Sequence, residues 1–181
     1  MNIVDEIIQA FNEKGDMEYG ERVNMRDHML QSAVFAERDG ASDLVVAAAL
    51  LHDYGHFVHD LGEDIADHGI DGKHEEVGAD YLEQYFPPEV IEPMRLHVAA
   101  KRYLCATDAE YFATVSPASL QSLALQGGPF SAEEVAEFEK NPHFKLAIQV
   151  RRYDEAGKEV EMETPTIEAY RPIIEKALKK G

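Results

Sequence analysis

The run Leu44–Asp53 limits the possible folds of this chain more than any other part of the sequence. Its first eight residues are all Leu, Val or Ala, and it ends in the adjacent polar pair His52 and Asp53. A helix that is apolar on all sides is buried in the middle of a domain. An Asp at the end of such a run is costly to bury unless it is paired or bound to a metal ion. The run therefore predicts a central helix that carries His52 and Asp53 deep into the interior.

The rest of the sequence predicts further helices and no pair of strands. Apolar residues recur at helical spacing from Ile3 to Phe11, and Asn24 is a typical cap for the helix that follows. Residues 62–72 form a predicted polar connection. These patterns indicate an all-α protein. The predicted helices cover residues 2–14, 24–38, 42–53 with Ser42 or Asp43 as cap, 73–85, 116–125, 131–139, 143–154 and 166–180, with one more that begins at Pro87-Pro88 and contains His97.

The chain has the size of one ordinary domain. It has 181 residues and contains no Gly-Ser tract, Pro-rich tract or internal repeat. A chain of this length can bury a substantial core without disulfides. We therefore expect a single domain over residues 1–181, with its core at about residues 20–154 and a C-terminal helix at 166–180.

The charge and the cysteine content argue against several classes of partner. Seventeen Lys and Arg residues against 35 Asp and Glu residues give a formal charge of -18, which would repel a nucleic-acid backbone. Cys105 is the single cysteine, so an intramolecular disulfide is impossible. The N-terminus has no basic stretch before an apolar core, and no run approaches the roughly 20 apolar residues of a membrane span. We expect a cytoplasmic protein that binds neither nucleic acid nor membranes.

Histidines follow one another at even intervals along the predicted helices. His52 comes 24 residues after His28, His74 comes 21 after Asp53, and His97 comes 23 after His74. Helices packed around one axis can bring four imidazoles and a carboxylate into one interior pocket, a donor set that suits a first-row transition metal. The two oxygens of Asp53 can bridge two ions, which favours a dinuclear centre. His59, His68 and His143 are interpreted as ordinary core or surface groups.

Several short motifs give these residues a family context. They span residues 20–154, and the order of the His and Asp residues resembles the HD-domain superfamily. The other motifs are similar to one branch of it, the mixed-valent di-iron oxygenases that cleave the carbon-phosphorus bond of hydroxylated aminophosphonates and are relatives of myo-inositol oxygenase. The motifs are Leu50-Leu51-His52-Asp53-Tyr54-Gly55-His56-Phe57, Lys73-His74-Glu75 with Gly78-Ala79, His97-Val98 with Lys101-Arg102-Tyr103-Leu104, Ser116 to Ser119, Gln126-Gly127-Gly128-Pro129, and Ile148-Gln149 with Arg151, Arg152 and Asp154.

This resemblance implies an HD-domain helical bundle with ligands from successive helices and two iron ions, one ferrous and one ferric. It implies a hydroxyphosphonate and O2 as substrates, with no flavin or nicotinamide. The first iron would be held by His28, His52, Asp53 and Asp154, and the second by Asp53, His74 and His97. Lys101, Ser119 and Arg151 match the residues that grip the phosphonate, Gln126 lies in a motif at the pocket, and His56 and Lys101 match groups that act on the substrate.

The phosphonate residues have a physical basis of their own. A phosphonate accepts charge-assisted hydrogen bonds from Lys, Arg and hydroxyl groups. Lys101 lies four residues after His97, and Arg151 lies three before Asp154, so each shares a helical face with a predicted ligand. The alternative is that both are solvated helix charges. The glycines beside Gln126 either shape the pocket only or allow close approach of the backbone to the substrate.

The loop before His28 leaves the substrate amine open. In the amino-hydroxyethylphosphonate oxygenases this loop carries Tyr, one intervening residue, Gly and Glu, with the Tyr over the empty iron site and the Glu on the ammonium. Here Tyr19 is directly before Gly20, and Glu21 follows. Aromatic faces and diffuse negative charge suit a trimethylammonium group. We favour the trimethylated substrate, which gives glycine betaine, over the primary amine, which gives glycine; a plain solvated acidic loop is the third interpretation.

Two other functions are alternatives to the oxygenase. A divalent-metal phosphohydrolase would use the same six ligands and cleave a nucleotide or phosphate ester with a metal-bridging water. A degenerate HD module would serve as an interaction scaffold without metal. The Lys101 and Gln126 motifs favour the oxygenase over the first, and the complete ligand set argues against the second.

Overall fold

The computed structural model describes residues 1–58 and 73–180, and within these ranges the chain is helical and contains no strand. The predicted all-α class is therefore confirmed. His59, His68 and the predicted polar connection at 62–72 lie outside the described residues. The helices are α1 (Ile3–Lys14), α2 (Met25–Arg38), α3 (Asp43–Leu51), α4 (Gly55–Val58), α5 (His74–Leu82), α6 (Pro88–Thr107), α7 (Ala109–Thr114), α8 (Pro117–Leu125), α9 (Ala132–Phe138), α10 (Phe144–Ala156) and α11 (Arg171–Ala177), with a 3-10 turn at Ile167–Tyr170.

Helix α3 is the buried centre of the bundle. All of its residues from Val45 to Leu51 are buried, and it packs against α2, α6, α10 and α11. Ser42 caps it, because its hydroxyl accepts the Val45 N–H at 3.4 Å. The central position predicted from the apolar run is confirmed.

The end of α3 differs from the prediction. The helix stops at Leu51, and His52 and Asp53 lie in a turn that leads into α4. The Tyr54 N–H bonds to the Leu51 carbonyl at 2.9 Å, and the His56 N–H bonds to the Asp53 carbonyl at 3.0 Å. These i to i-3 bonds tighten the chain. From this turn, the Asp53 carboxylate reaches His74 on α5 and His97 on α6.

The C-terminal prediction needs a second correction. The predicted helix 166–180 is a 3-10 turn followed by the short α11, which ends at Ala177. Pro172 has no N–H to bond to the carbonyl four residues earlier, so a continuous α-helix is unfavourable there. Helix α7 was not predicted; the Asp108 side chain starts it by accepting the Tyr111 N–H at 2.9 Å.

Two long helices face each other across the bundle and carry much of the site. Helix α6 contains His97 and Lys101, and α10 contains Arg151 and Asp154; the two helices pack directly together. All four side chains are buried. Among the described helices, none is long and apolar enough to cross a membrane.

Candidate metal centre and substrate pocket

Four predicted ligands meet at one point inside the bundle. His28 comes from α2, His52 and Asp53 follow α3, and Asp154 comes from α10. The Nε2 atom of His28 lies 3.1 Å from Nε2 of His52, 3.2 Å from Oδ2 of Asp53 and 3.3 Å from Oδ1 of Asp154. The His52 Nε2 atom is also 3.2 Å from Asp53 Oδ2. Two nitrogens and two carboxylates thus converge on a space of atomic size.

A second group of ligand atoms adjoins the first. The Nε2 atoms of His74, on α5, and His97, on α6, lie 3.1 Å apart. They lie 3.1 Å and 3.3 Å from Oδ1 of Asp53. Asp53 therefore directs Oδ2 to the first group and Oδ1 to the second. One carboxylate thus connects the two groups of ligand atoms.

Backbone carbonyls fix the direction of three of the imidazoles. In each ring, Nδ1–H donates to a carbonyl oxygen at 2.6–2.8 Å, which turns Nε2 inward; in the neutral ring this atom carries a lone pair. The acceptors are the carbonyl of Gly157 for His28, that of Ala49 for His52 and that of Met94 for His97.

His74 is oriented differently from the other three rings. Its Nδ1 lies 3.7 Å from Oε2 of the buried Glu75 carboxylate, and this oxygen has no hydrogen-bond partner among the residues that the structure describes. The His56 ring stacks on the His74 ring with centroids 4.3 Å apart. A ring nitrogen of His56 lies within 4.8 Å of ligand atoms of Asp53 and His74.

The two carboxylates are held in their charged form. Burial raises the pKa of Asp53, but the neighbouring His52, His28 and His74 outweigh it and hold the pKa well below its usual range. Burial acts in the same direction on Asp154, and the Arg151 guanidinium 2.7 Å away is the largest opposing influence. Both ligands are therefore anionic at neutral pH.

This donor set fits metal ions. Imidazole nitrogens that carry lone pairs repel one another at 3.1 Å, and buried carboxylates need a positive partner. A cation placed among them satisfies both requirements. The six residues that fit are His28, His52, Asp53, His74, His97 and Asp154.

A cationic and hydroxyl cluster lies on the α10 side of this centre. Arg151 donates to the Ser119 hydroxyl at 3.2 Å and to Glu155 at 2.6 Å, and it is 4% exposed. Lys101 is 2% exposed and donates to the Ser122 hydroxyl at 3.0 Å. Lys101 and Arg151 are therefore buried, and the solvated interpretation of these two charges is wrong.

Two of the predicted substrate residues carry buried polar atoms that have no partner in the described part of the chain. Within residues 1–58 and 73–180, the Tyr19 hydroxyl and the Gln126 Oε1 atom make no hydrogen bond. The Tyr19 ring lies 5.1 Å from the His28 ring, and burial, followed by the charges of Asp53 and Asp154, raises its pKa. Buried polar atoms are rarely left unpaired, so both atoms are candidates to face a ligand.

Glu21 and one residue absent from the sequence prediction complete the cluster. The Glu21 carboxylate is 3.0 Å from the ammonium of Lys158 and accepts a hydrogen bond from the Ser116 hydroxyl. Lys158 also donates to Ser119 at 2.9 Å and to Glu155 at 3.3 Å. Helical periodicity could not indicate Lys158, because it lies beyond the end of α10. The remaining signal was its position four residues after Asp154.

The bundle of helices and the His and Asp side chains that meet inside it define an HD-domain protein. Residues 17–104 match the HD domain family, and this segment contains five of the six predicted ligands. Asp154 comes from the helix that packs against its C-terminal end.

Full-length comparisons identify the branch of that superfamily. The chain is 52% identical over 180 residues to the 1-hydroxy-2-(trimethylamino)ethylphosphonate dioxygenase (glycine-betaine-forming) of Leisingera caerulea, covering 99% of this chain and 92% of that protein. It is 39% identical over 178 residues to the hydroxymethylphosphonate dioxygenase of Gimesia maris, covering 97% and 88%. An uncharacterized protein of Acanthamoeba polyphaga mimivirus is 34% identical over 175 residues, covering 94% and 80%. The chain belongs to the HD-domain family of these phosphonate dioxygenases, and the predicted resemblance is confirmed.

Proposed function

We propose that the protein is a di-iron oxygenase that cleaves the carbon-phosphorus bond of 1-hydroxy-2-(trimethylamino)ethylphosphonate with O2, giving glycine betaine and phosphate. The observation that carries the proposal is the position of Asp53, whose two oxygens face two separate sets of imidazoles at 3.1–3.3 Å. The name of the Leisingera caerulea relative supports the substrate. The unmethylated amine, which would give glycine, is the second candidate.

The iron pair would supply the one-electron chemistry that O2 requires, and the residues of the chain would position the substrate. Lys101, Arg151 and Ser119 offer charged and hydroxyl donors for the phosphonate oxygens. His56, stacked on His74, is close enough to the second ligand group to contact a substrate bound there. Asp53 and Asp154 supply negative charge that offsets the charge of the ions.

The phosphohydrolase alternative is not favoured. Both relatives of named activity are dioxygenases that act on phosphonates. A phosphohydrolase would also need a group that holds the rest of its ester substrate. Among the described residues, the charged groups near Ser119 suit a compact anion such as a phosphonate.

Recognition of the trimethylammonium group is assigned to Tyr19 and Glu21. A quaternary ammonium has no N–H to donate, so it binds aromatic faces and negative charge. The Tyr19 ring packs beside His28, and Glu21 is two residues further along the same loop. Gly20 between them has φ +86, and a Cβ added to it would lie 3.4 Å from the Cβ of Ala118, the second residue of α8. The loop therefore lies against α8, the helix that carries Ser119.

Tyr19→Ala is expected to reduce the preference for the trimethylated over the primary amine, measured as the ratio of their kcat/KM values. Loss of a cation–π contact worth about 0.5–2 kcal/mol corresponds to a roughly 2- to 30-fold smaller ratio. Tyr19→Phe keeps the aromatic face and should keep the ratio. Tyr103→Ala, whose ring packs on Phe138, is the control. Equal losses in Tyr19→Phe and Tyr19→Ala would assign the effect to the hydroxyl instead.

Substrate binding is expected to weaken as pH rises through about 7, because Lys101 must be protonated to bind the phosphonate. Burial, followed by the charge of Arg151, lowers the pKa of Lys101 to about 7; Lys158 adds to this, while Asp154 and Glu155 oppose it. KM for the hydroxyphosphonate should rise by at most roughly tenfold per pH unit above that value.

Two variants test the assignment of this pH dependence to Lys101. Lys101→Arg keeps its charge and should flatten the rise in KM, and Lys101→Met should give a high KM that also lacks the rise. The titration of the phosphonate itself is the same for all three proteins, so differences between their profiles report on Lys101. A native profile in the Lys101→Met protein would contradict the assignment.

The proposed activity is tested by following dissolved O2 and free phosphate together. Iron-loaded, partly oxidised protein is given the trimethylated hydroxyphosphonate, the primary amine or hydroxymethylphosphonate. Oxygen uptake that matches phosphate release supports the oxygenase. The compound that is turned over fastest is the preferred substrate, and it shows whether an amine is required and whether that amine is methylated. Phosphate release from esters without oxygen uptake would instead identify a phosphohydrolase.

A further inference from the structure

Lys158 links two parts of the pocket that carry opposite charge. Its ammonium lies 2.9 Å from the Ser119 hydroxyl, which also accepts from Arg151 at 3.2 Å. The same ammonium lies 3.0 Å from the Glu21 carboxylate. The side chains of Lys158 and Glu21 are only 11% and 8% exposed. Lys158 is thus shared between the proposed phosphonate position and the residue proposed to face the substrate's cation.

The two carboxylates that contact Lys158 are held very differently. Glu155 accepts from Arg151 at 2.6 Å and from the Ser116 N–H at 3.0 Å, so it keeps strong partners if Lys158 leaves. Glu21 contacts Lys158 and the Ser116 hydroxyl, and among the described residues Lys158 is the cation that pairs with it. Departure of Lys158 would therefore leave the charge of Glu21 without a cation in a nearly buried position, which is unfavourable.

A phosphonate held at Ser119 and Arg151 would compete with Glu21 for Lys158. Such a group carries up to two negative charges and several acceptor oxygens, and it would lie against the hydroxyl that Lys158 already contacts. Resting on the proposed function, we propose that Lys158 exchanges partners when substrate binds. It moves its hydrogen bond from Glu21 to the phosphonate, and the freed Glu21 carboxylate then pairs with the substrate's ammonium group.

This exchange makes the pocket selective for zwitterions. A substrate with both charges replaces the Lys158–Glu21 ion pair with two others, Lys158 with the phosphonate and Glu21 with the ammonium group, so no charge is left without a partner. A phosphonate without a cationic group leaves Glu21 unpaired and binds with a penalty. Lys158 is on this account a specificity-determining residue, although it lies outside the set of proposed metal ligands.

The exchange is tested by binding rather than turnover. Iron-loaded protein is titrated without O2, by calorimetry, with 1-hydroxy-2-(trimethylamino)ethylphosphonate and with (1-hydroxy-3,3-dimethylbutyl)phosphonate. The second compound has carbon in place of the quaternary nitrogen and so has the same shape without the positive charge. The proteins compared are the native chain, Glu21→Gln, Lys158→Met and the double variant. Glu18→Gln, an exposed carboxylate of the same loop, controls for the general loss of negative charge.

The double variant gives the decisive result. Lys158→Met should weaken binding of the neutral compound by about tenfold, as expected for a lost charge-assisted hydrogen bond. Glu21→Gln should tighten it by roughly threefold to tenfold, because Lys158 no longer has to leave a carboxylate. This gain should vanish when Lys158 is already Met, and Glu18→Gln should not reproduce it. Glu21→Gln should weaken the binding of the zwitterionic trimethylated compound, because the carboxylate that pairs with its ammonium group is lost.

Three results would overturn the exchange. One is native affinity for the neutral compound in Lys158→Met, or in Lys158→Gln if the Met variant does not fold. Another is no gain in Glu21→Gln. The third is that Glu21→Gln tightens binding of the neutral compound equally in the native and the Lys158→Met background. The effect would then come from the general loss of negative charge and not from Lys158. The binding titration is independent of the oxygen assay, so the two proposals can fail separately. This binding pattern without oxygen uptake in the assay would refute the proposed activity alone. Normal oxygen uptake without the binding pattern would refute the exchange alone.

Discussion

Asp53→Asn is expected to abolish O2-dependent phosphate release and to reduce the bound iron from two ions per chain to one or none. An amide has one acceptor oxygen and no charge, so it cannot bridge the two ligand groups as the Asp53 carboxylate can. Changing a residue that merely orients a ligand costs roughly 10- to 100-fold in metal affinity or activity. Loss of the shared ligand should therefore cost more than about 100-fold in both. Metal analysis and the oxygen assay measure the two effects.

The control for this variant is Asp43, at the start of the helix that precedes Asp53. Asp43 is the first residue of α3, its side chain is 49% exposed, and it pairs with Lys176 at 3.4 Å. Asp43→Asn should keep two irons and native activity. Circular dichroism establishes that both variants fold. Two tightly bound irons in a folded Asp53→Asn protein would contradict the bridging role.

The sequence predicted most of the helices, and some contacts along them, because these depend on local patterns. Asn24 caps α2 by accepting the Asp27 N–H at 2.8 Å, as its position before an amphipathic run indicates. Arg151 lies on the same face of α10 as Asp154 and pairs with it at 2.7 Å, which follows from i,i+3 spacing. Such features are fixed within one turn of helix, so a single sequence contains them.

Features that depend on how helices end or cross were not predicted. His52 and Asp53 were assigned to a continuous helix, but they lie in a turn whose shape depends on the contact between α4 and α5. Lys158 follows Gly157, the residue that ends α10, and its partner Glu21 is distant in sequence. Helical periodicity gives no information beyond the end of a helix. Tertiary packing, which one sequence does not display, determines these positions.

Two glycines explain the turn that presents Asp53 and His74 to each other. An added Cβ on Gly55 would lie 1.9 Å from the His74 carbonyl oxygen, and one on Gly78 would lie 2.7 Å from the Gly55 nitrogen. In both cases the obstacle is backbone, which cannot move aside as a flexible side chain can. Helices α4 and α5 therefore cross at a distance that only glycine permits at these two positions. Because α5 begins at His74, the crossing sets the position of that imidazole.

Gly55→Ala is consequently expected to lose iron at the second position more readily than at the first. The added methyl group must push the start of α5 away from Asp53, so the His74 Nε2 atom can no longer lie 3.1 Å from Asp53 Oδ1. The free energy of unfolding should fall by roughly 1–3 kcal/mol, the usual cost of overpacking. Gly40→Ala is the control: its Cβ meets nothing within 4 Å, and its φ of +71 costs stability away from the site. If both variants lose similar stability but only Gly55→Ala drops from two irons per chain to about one, the crossing positions the ligand. Equal iron content in the two would mean that His74 reaches the second position without it.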